Sequence, residues 1–435
     1  MNDAPCEDHR AGLSIRLLRG SAFIFGCRIA GAGLTLFAQI LLARWMGAAE
    51  LGVYVLAFSW AILLANLASL GFPSAAIRFV GLSLSRSDPD YVFAFARFAT
   101  RVILLAGVVI SVCGLAIVWL VFDADSGKRI PVIVAMTILP LMSLLHFMGG
   151  VANGFSRFGL SFIPTNVARP AMFCIGLGLV WLMGIELQAA SAMTLQFLSV
   201  VIVFIPTWLL SRKLVSKPRD EAPMRGDQDN WLRTAAALLI ATLFTGYFPE
   251  VVIIVAGSFV PTDDLALLHI SFRIAMLVAF GLSAVDAVSS PEIARLYADD
   301  DKPGLRRIVN RATRLRFIAS LIAVAMFALL GPWLLSLFGP EFVAGFQLLM
   351  ILACGQLVQG LAGPVVRLMS ISGHQDRTLI VFAVALVLLV VMIAVLVPVF
   401  GVTGAAIAAV IDMVIWTVWM RWLVIRHIGI RPTIF

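Results

Sequence analysis

The sequence predicts an all-α integral membrane protein with about twelve transmembrane helices. Three observations predict it: composition, the spacing of apolar runs and the placement of basic residues. Of 435 residues, 61% are hydrophobic and only 13% are charged, about half of the ~25% usual in soluble domains. Mean hydropathy is +1.02. There is too little polar surface to cover such a core in water, which excludes a soluble globular protein, and too much apolar side chain for disorder. The net charge of +8 does not point to nucleic acid, because the bases lie in short loops between apolar runs.

A helical span needs ~20 mostly apolar residues. Reading along the chain places spans at 20–43, 51–77, 99–122, 130–152, 160–184, 187–211, 232–257, 265–290, 317–338, 342–366, 378–398 and 402–422. The last two come from one uncharged stretch, too long for a single crossing and divided at Pro398 and Gly401. Residues 1–19 are polar and basic, and the first apolar run continues into a full span, so no cleavable signal peptide is expected. With the N-terminus in the cytoplasm, 26 Arg and Lys fall on the inner side. Arg44, Lys128 and Arg129 fall on the outer side. That asymmetry predicts cytoplasmic N- and C-termini. Trp45, Trp119, Trp181, Trp208, Trp231, Trp333 and Trp422 lie near span ends, as an interfacial aromatic belt requires.

The longest polar segment, 212–231, reads as a cytoplasmic linker between an N-terminal lobe (1–211, spans one to six) and a C-terminal lobe (232–435, spans seven to twelve). A weak internal repeat supports this division. Glu50-Leu51 opens span two and Asp264-Leu265 opens span eight, and Pro73 through Arg78 ends the one as Pro291 through Arg295 ends the other. Six spans per half is an even number, so the halves are expected to be parallel repeats.

Histidines aside, six ionisable side chains fall more than three residues inside spans: Arg28, Arg169, Glu250, Arg273, Asp286 and Asp412. Each costs ~2.5–3.5 kcal/mol near the bilayer centre on insertion scales. Such residues persist where they meet a partner or a water-filled cavity. The first six spans carry bases and no interior acid, whereas all three acids are in the second half. Arg28 sits among the small residues of Gly26-Cys-Arg-Ile-Ala-Gly31, and its planar fork of donors suits phosphate oxygens. Arg273 and Arg169 are further candidate anion contacts. The alternatives are snorkelling for Arg28, a pair with Glu250 for Arg273, and backbone carbonyls freed by Pro170 for Arg169. Glu250 and Asp412 are candidates for coupling to H⁺ or Na⁺. Asp286 reads as a helix-end contact, and His146 as hydrogen-bonded to a neighbouring helix.

Other chemistries fit poorly. Asp299-Asp300-Asp301 resembles the start of a diphosphate–Mg²⁺ motif, but Asp301 with Pro303 reads as a helix start, as does Asp88-Pro89-Asp90. The helix after Asp301 has Leu305, Ile308, Ala312 and Leu315 on one face and Arg306, Arg307, Arg311 and Arg314 elsewhere. It reads as a basic amphipathic helix on the inner leaflet. No Walker A or glycine-rich nucleotide loop is present. The five cysteines form no CxxC, so neither a disulfide framework nor a zinc site is expected. No cofactor, metal or catalytic residue is expected, and the chain does not read as an enzyme.

Four places resemble a known family. They are Arg44-Trp-Met-Gly-Ala-Ala-Glu50-Leu-Gly52-Val-Tyr54; Leu70-Gly-Phe-Pro73 through Arg78-Phe79; Gly154-Phe-Ser-Arg157-Phe158 with Asn166 and Arg169; and a C-terminal series. That series comprises Gly339-Pro-Glu-Phe342, Gly363-Pro364, Ser372-Gly373-His374 and Pro398 through Ala406. In order and spacing they resemble the polysaccharide (O-antigen type) lipid-linked oligosaccharide flippases of the multidrug/oligosaccharidyl-lipid/polysaccharide exporter superfamily. The resemblance implies two six-helix lobes around a central cationic cavity, with Arg28 in the span that carries a cavity arginine. It implies a polyprenyl-diphosphate-linked glycan as substrate, membrane lipids and polysaccharide polymerase machinery as partners, and the bacterial inner membrane as location. Span eleven departs from the pattern, because 378–397 has no strongly polar residue after Thr378. A cation-coupled multidrug antiporter of the same fold, a peptidoglycan-precursor flippase and a membrane enzyme remain as alternative readings.

Overall fold

The computed structural model describes residues 4–86, 88–121, 127–215 and 228–433. Most of the expected linker, 216–227, lies outside these residues, as does the side chain of Cys6. Every regular element among the described residues is helical. In chain order these are α1 (Ala4–Ala68), α2 (Phe72–Arg86), α3 (Pro89–Val121), α4 (Arg129–Gly154), α5 (Phe158–Phe162), a π-helix (Ile163–Ala168) and α6 (Arg169–Leu182). Then follow α7 (Ala189–Arg212), α8 (Gln228–Ala256), α9 (Thr262–Ala298), α10 (Lys302–Ser336), a 3₁₀ turn (Pro340–Gly345), α11 (Phe346–Ala362), α12 (Val365–Ile371) and α13 (Gln375–Ile428).

Nine helices among the described residues are long and apolar enough to cross a membrane, and a tenth pair does so across a bend. Two of the nine are double crossings. The apolar run from Ala22 to Arg86, α1 with α2, breaks at Gly47 in α1, with φ 72° and ψ 174°, and α13 breaks at Gly401, with φ 59° and ψ −147°. Only glycine adopts such angles without strain. The bent pair is α8, turned by 68° between Gln228–Phe244 and Gly246–Ala256, with Tyr247 off helical geometry. Pro249 explains that bend, because its ring displaces the carbonyl four residues back. With the two breaks counted, the twelve expected spans are all present.

The chain packs into two compact units, residues 1–42 with 64–239 and residues 43–63 with 240–435. In the first unit, Phe72, Phe79, Phe95, Phe147 and Trp231 form an aromatic core. The indole of Trp231 lies 5.5 Å from the Phe95 ring, 5.6 Å from Phe98 and 5.6 Å from Tyr91, and its Nε1 donates to Tyr91 Oη at 2.8 Å. This corrects one expectation: Trp231 is buried at 1% exposure and is a core anchor, not a belt residue. By contrast Trp119, Trp181, Trp333 and Trp422 are exposed as a belt requires. The anchor draws the first turns of α8 into this unit. There Gly71, at φ +78°, lies so close to Ala235 that an added Cβ would meet its carbonyl oxygen at 2.1 Å.

In the second unit, residues 43–63 pack against the start of α9. Gly52 lies against the Thr262 backbone, where a Cβ would sit 1.7 Å from the carbonyl oxygen. Arg44 Nε donates to Leu337 O at 2.7 Å. The Asp301 carboxylate caps α10 by accepting from Gly304 N at 2.9 Å, as its sequence context predicts. The expected amphipathic surface helix is not separate. It runs without a break into span nine as the 35-residue α10. At 1.5 Å per residue that is roughly 50 Å, longer than the ~30 Å hydrocarbon layer. The exposed arginines 306, 307, 311 and 314 therefore occupy the part that outruns the bilayer.

Candidate functional site

The site residues of the first unit sit where α1 meets span five. Gly31 allows contact with the backbone of Asn166, where a Cβ would meet Asn166 O at 2.1 Å. One turn earlier, the Arg28 guanidinium lies 5.9 Å from the Phe162 ring centroid, within range of a cation–π contact. Further on, three residues along α1 and eight along span five, the Cys174 thiol donates to Leu34 O at 3.6 Å. These rungs climb both helices in the same sense, so α1 and span five run parallel here. Arg28 itself is exposed, and the spans of this unit contain no Asp or Glu to neutralise it.

Between Phe162 and Arg169 the helix widens into the π segment Ile163–Ala168. Pro164 lies in its first turn, and Asn166 Nδ2 donates to Phe162 O at 3.1 Å. Short π segments frequently mark functional sites. Arg169 follows the segment directly and is half-buried. The structure thus brings Arg28 and Arg169 to the two ends of one distorted stretch of span five.

In the second unit two of the three intramembrane acids lie beside an arginine. Arg273 Nη2 lies 3.6 Å from Glu250 Oε1, and Arg273 Nε lies 3.5 Å from His269 Nε2. Glu250 is buried, and its Oε2 accepts no hydrogen bond from the described residues. Asp412 is fully buried, with neither carboxylate oxygen hydrogen-bonded among the described residues. Asp286 is not a helix-end contact. Its Oδ2 lies 2.5 Å from Arg316 Nη1, while Arg316 Nη2 donates to Gln359 O at 3.3 Å. Arg316 is buried at 8% exposure, and sequence reasoning missed it by counting it with the surface bases. The available signal was its spacing, since Leu305, Val309, Ala312 and Arg316 share one buried face of α10.

Two adjoining cavities of about 200 and 210 Å³ open inside this unit and share Ala279, Gln359, Val366 and Trp416. One has a polar end at Asp286, Arg316 and Thr417. The other is walled by Phe244, Phe248, Phe382 and Trp416 with Gln356. Among the described residues no three of His, Cys, Asp and Glu are grouped to hold a metal ion, and Cys27, Cys113, Cys174 and Cys354 are free.

The arrangement of these helices is a known transporter fold. Three solved structures share it. A multidrug resistance MATE family transporter of the MOP superfamily, in its inward-facing conformation, aligns with a TM-score of 0.75 at 17% identity, over 90% of this chain and 94% of its own. A MOP superfamily transporter from Pyrococcus furiosus, whose binding pocket is described as reversed in polarity, aligns at 0.66 and 17%, over 94% of each chain. The lipid II flippase MurJ, in an inward closed conformation, aligns at 0.75 and 13%, over 93% of this chain and 87% of its own. None of the curated proteins matches this chain in sequence. Residues 17–297 match the polysaccharide biosynthesis protein family, and residues 237–396 match the MatE family. The first match spans well over half of the sequence, and the chain belongs to the polysaccharide biosynthesis protein family.

Proposed function

We propose that the protein flips a polyprenyl-diphosphate-linked oligosaccharide from the cytoplasmic to the outer face of the bacterial inner membrane by alternating access, for cell-surface polysaccharide synthesis. The observation that carries this reading is that the first six spans hold bases and no interior acid, with Arg28 exposed and its guanidinium 5.9 Å from the Phe162 ring centroid. A glycan diphosphate cannot cross hydrocarbon unaided, because burying its charges and hydroxyls costs too much. Arginines at the crossing lower that cost by offering paired donors to phosphate oxygens. Arg28 and Arg169 are the contacts in the first unit, and Arg273, 27% exposed at its side chain, is the contact in the second. Glu250 and Asp412 are the groups through which an H⁺ or Na⁺ gradient would act. Membrane lipids and the polysaccharide polymerase machinery are the partners.

The test is mass spectrometry of polyprenyl-diphosphate glycans, resolved by membrane face, in cells lacking the protein and rescued with wild type or Arg28→Ala. A complete repeat unit held on the cytoplasmic face, released by wild type and not by the variant, is expected. Unchanged sidedness in the deletion strain, with no second flippase present, would overturn the reading. Cation-coupled drug export is the second reading, favoured by the buried Glu250 and Asp412 and by the MatE match over 237–396. A fall in drug accumulation on expression would select it.

A further inference from the structure

Away from α1, the first unit has a second basic feature that the proposed flipping path does not use. A cavity of about 460 Å³ lies among α3, α4 and α7, within the ~300–1,000 Å³ range of ligand sites. Arg97 and Arg101 of α3 and Arg212 of α7 line it, together with Thr100, Ser211 and Trp208. No Asp or Glu is among its lining residues, of those described. Arg97 and Arg101 stand one turn apart on the same face of α3, where like charges repel. Among the described residues none of the three arginines takes part in an ion pair. Ser211 is 7% exposed, and its hydroxyl has no hydrogen-bond partner among the described residues. The Arg212 guanidinium lies 4.3 Å from the Trp208 ring centroid, which holds it flat against the wall.

What lies beside the cavity identifies its occupant. Along α3, Leu105, Val109 and Val112 are more than half exposed, and along α7 so are Ile202 and Ile205. These residues extend from the three arginines toward the middle of each helix. The arginines lie at the start of α3 and the end of α7, the ends that the distribution of bases assigns to the cytoplasm. Charge at the headgroup level, a tryptophan beside it and apolar rails beneath it match the parts of a lipid in order. Basic pockets between transmembrane helices on this side suit anionic headgroups.

We propose that this cavity binds the phosphate headgroup of an anionic phospholipid of the inner leaflet, with its acyl chains on the apolar faces of α3 and α7. The site is separate from the flipping path, so the proposal stands or falls independently of the transported substrate.

The test uses the purified full chain in detergent and native mass spectrometry with dioleoyl phosphatidylglycerol or dioleoyl phosphatidylcholine. Wild type is expected to retain the anionic lipid selectively. The triple variant Arg97→Gln, Arg101→Gln, Arg212→Gln is expected to lose retention by on the order of a hundredfold, at roughly fivefold per arginine. Arg306→Gln, Arg307→Gln, Arg311→Gln removes equal charge from the exposed face of α10 and is expected to retain the lipid. If the triple variant does not fold, judged by size exclusion and thermal unfolding, Arg101→Gln alone is read for the roughly fivefold loss. Equal retention of the two lipids by wild type, or undiminished phosphatidylglycerol on the arginine variants, would overturn the proposal. So would displacement by inorganic phosphate as effectively as by the lipid, which would make the cavity a free-anion site.

Discussion

The two units treat intramembrane charge in opposite ways. In the first unit the spans carry Arg28 and Arg169 with no acid, and Arg28 remains exposed. In the second unit Arg273 lies beside Glu250, and Arg316 beside Asp286, at 3.6 and 2.5 Å. A charge held by its neighbour is largely spent on the fold. An exposed charge such as that of Arg28 attracts whatever anion can reach it. Under the proposed function the difference is a division of labour: the first unit attracts the substrate, and the second holds the ionisable groups that a coupling ion would address.

The largest test of that contrast is a pair of stability measurements. Removing one partner of a buried ion pair typically costs ~3–5 kcal/mol, so Arg316→Ala should lower thermal stability by about that much. Arg316→Met with Asp286→Leu should recover most of it, because an apolar pair of similar volume replaces the ionic one. If Arg316→Ala melts like wild type, the pair does not hold the second unit. In the first unit the corresponding substitution is apolar: Trp231→Ala should also cost ~3–5 kcal/mol through the cavity it leaves. A loss under ~1 kcal/mol, below that of ordinary core truncations, would remove Trp231 from the core.

A smaller effect separates charge from stability. Arg28→Ala should reduce flipping by roughly 10- to 100-fold, the worth of a hydrogen bond to a charged group, while thermal stability stays near wild type. Arg28→Lys should recover only part of the activity, since an ammonium lacks the planar fork. A variant that is both unstable and inactive would show that Arg28 serves the fold. Next is Gly31→Ala, which crowds the Asn166 backbone and should cost ~1–3 kcal/mol, with activity falling in step if the α1 contact positions Arg28. Smallest of all, Arg273→Gln should change stability by about 1 kcal/mol or less, because the ion pair is long at 3.6 Å, Arg273 is partly exposed and glutamine keeps a donor beside Glu250. A larger loss would mean that the Glu250 contact is structural.

The twelve spans were legible because hydrocarbon imposes a single length and composition on every crossing. The break at Gly401 and the cap at Asp301 were legible because each rests on one residue type in one local pattern. Arg316 was not, because composition assigns an arginine near a span end to the surface, and only its position on the buried face of α10 shows otherwise. Trp231 misled for the same reason: proximity to a span end describes a belt and a core anchor equally well. The contrast in charge between the halves could be read directly, but Arg316 as the partner of Asp286 could not, since pairing depends on which helix faces pack together.

The π segment of span five has a geometric consequence. Closing its hydrogen bonds one residue later than an α-helix sets Arg169 onto a different azimuth from the residues before Ile163, by about the 100° that one helical residue subtends. No single helical wheel therefore describes this span. Deleting one residue between 163 and 168 would restore a uniform helix and turn Arg169 away from its present direction, leaving every charge in the chain in place and altering only its bearing.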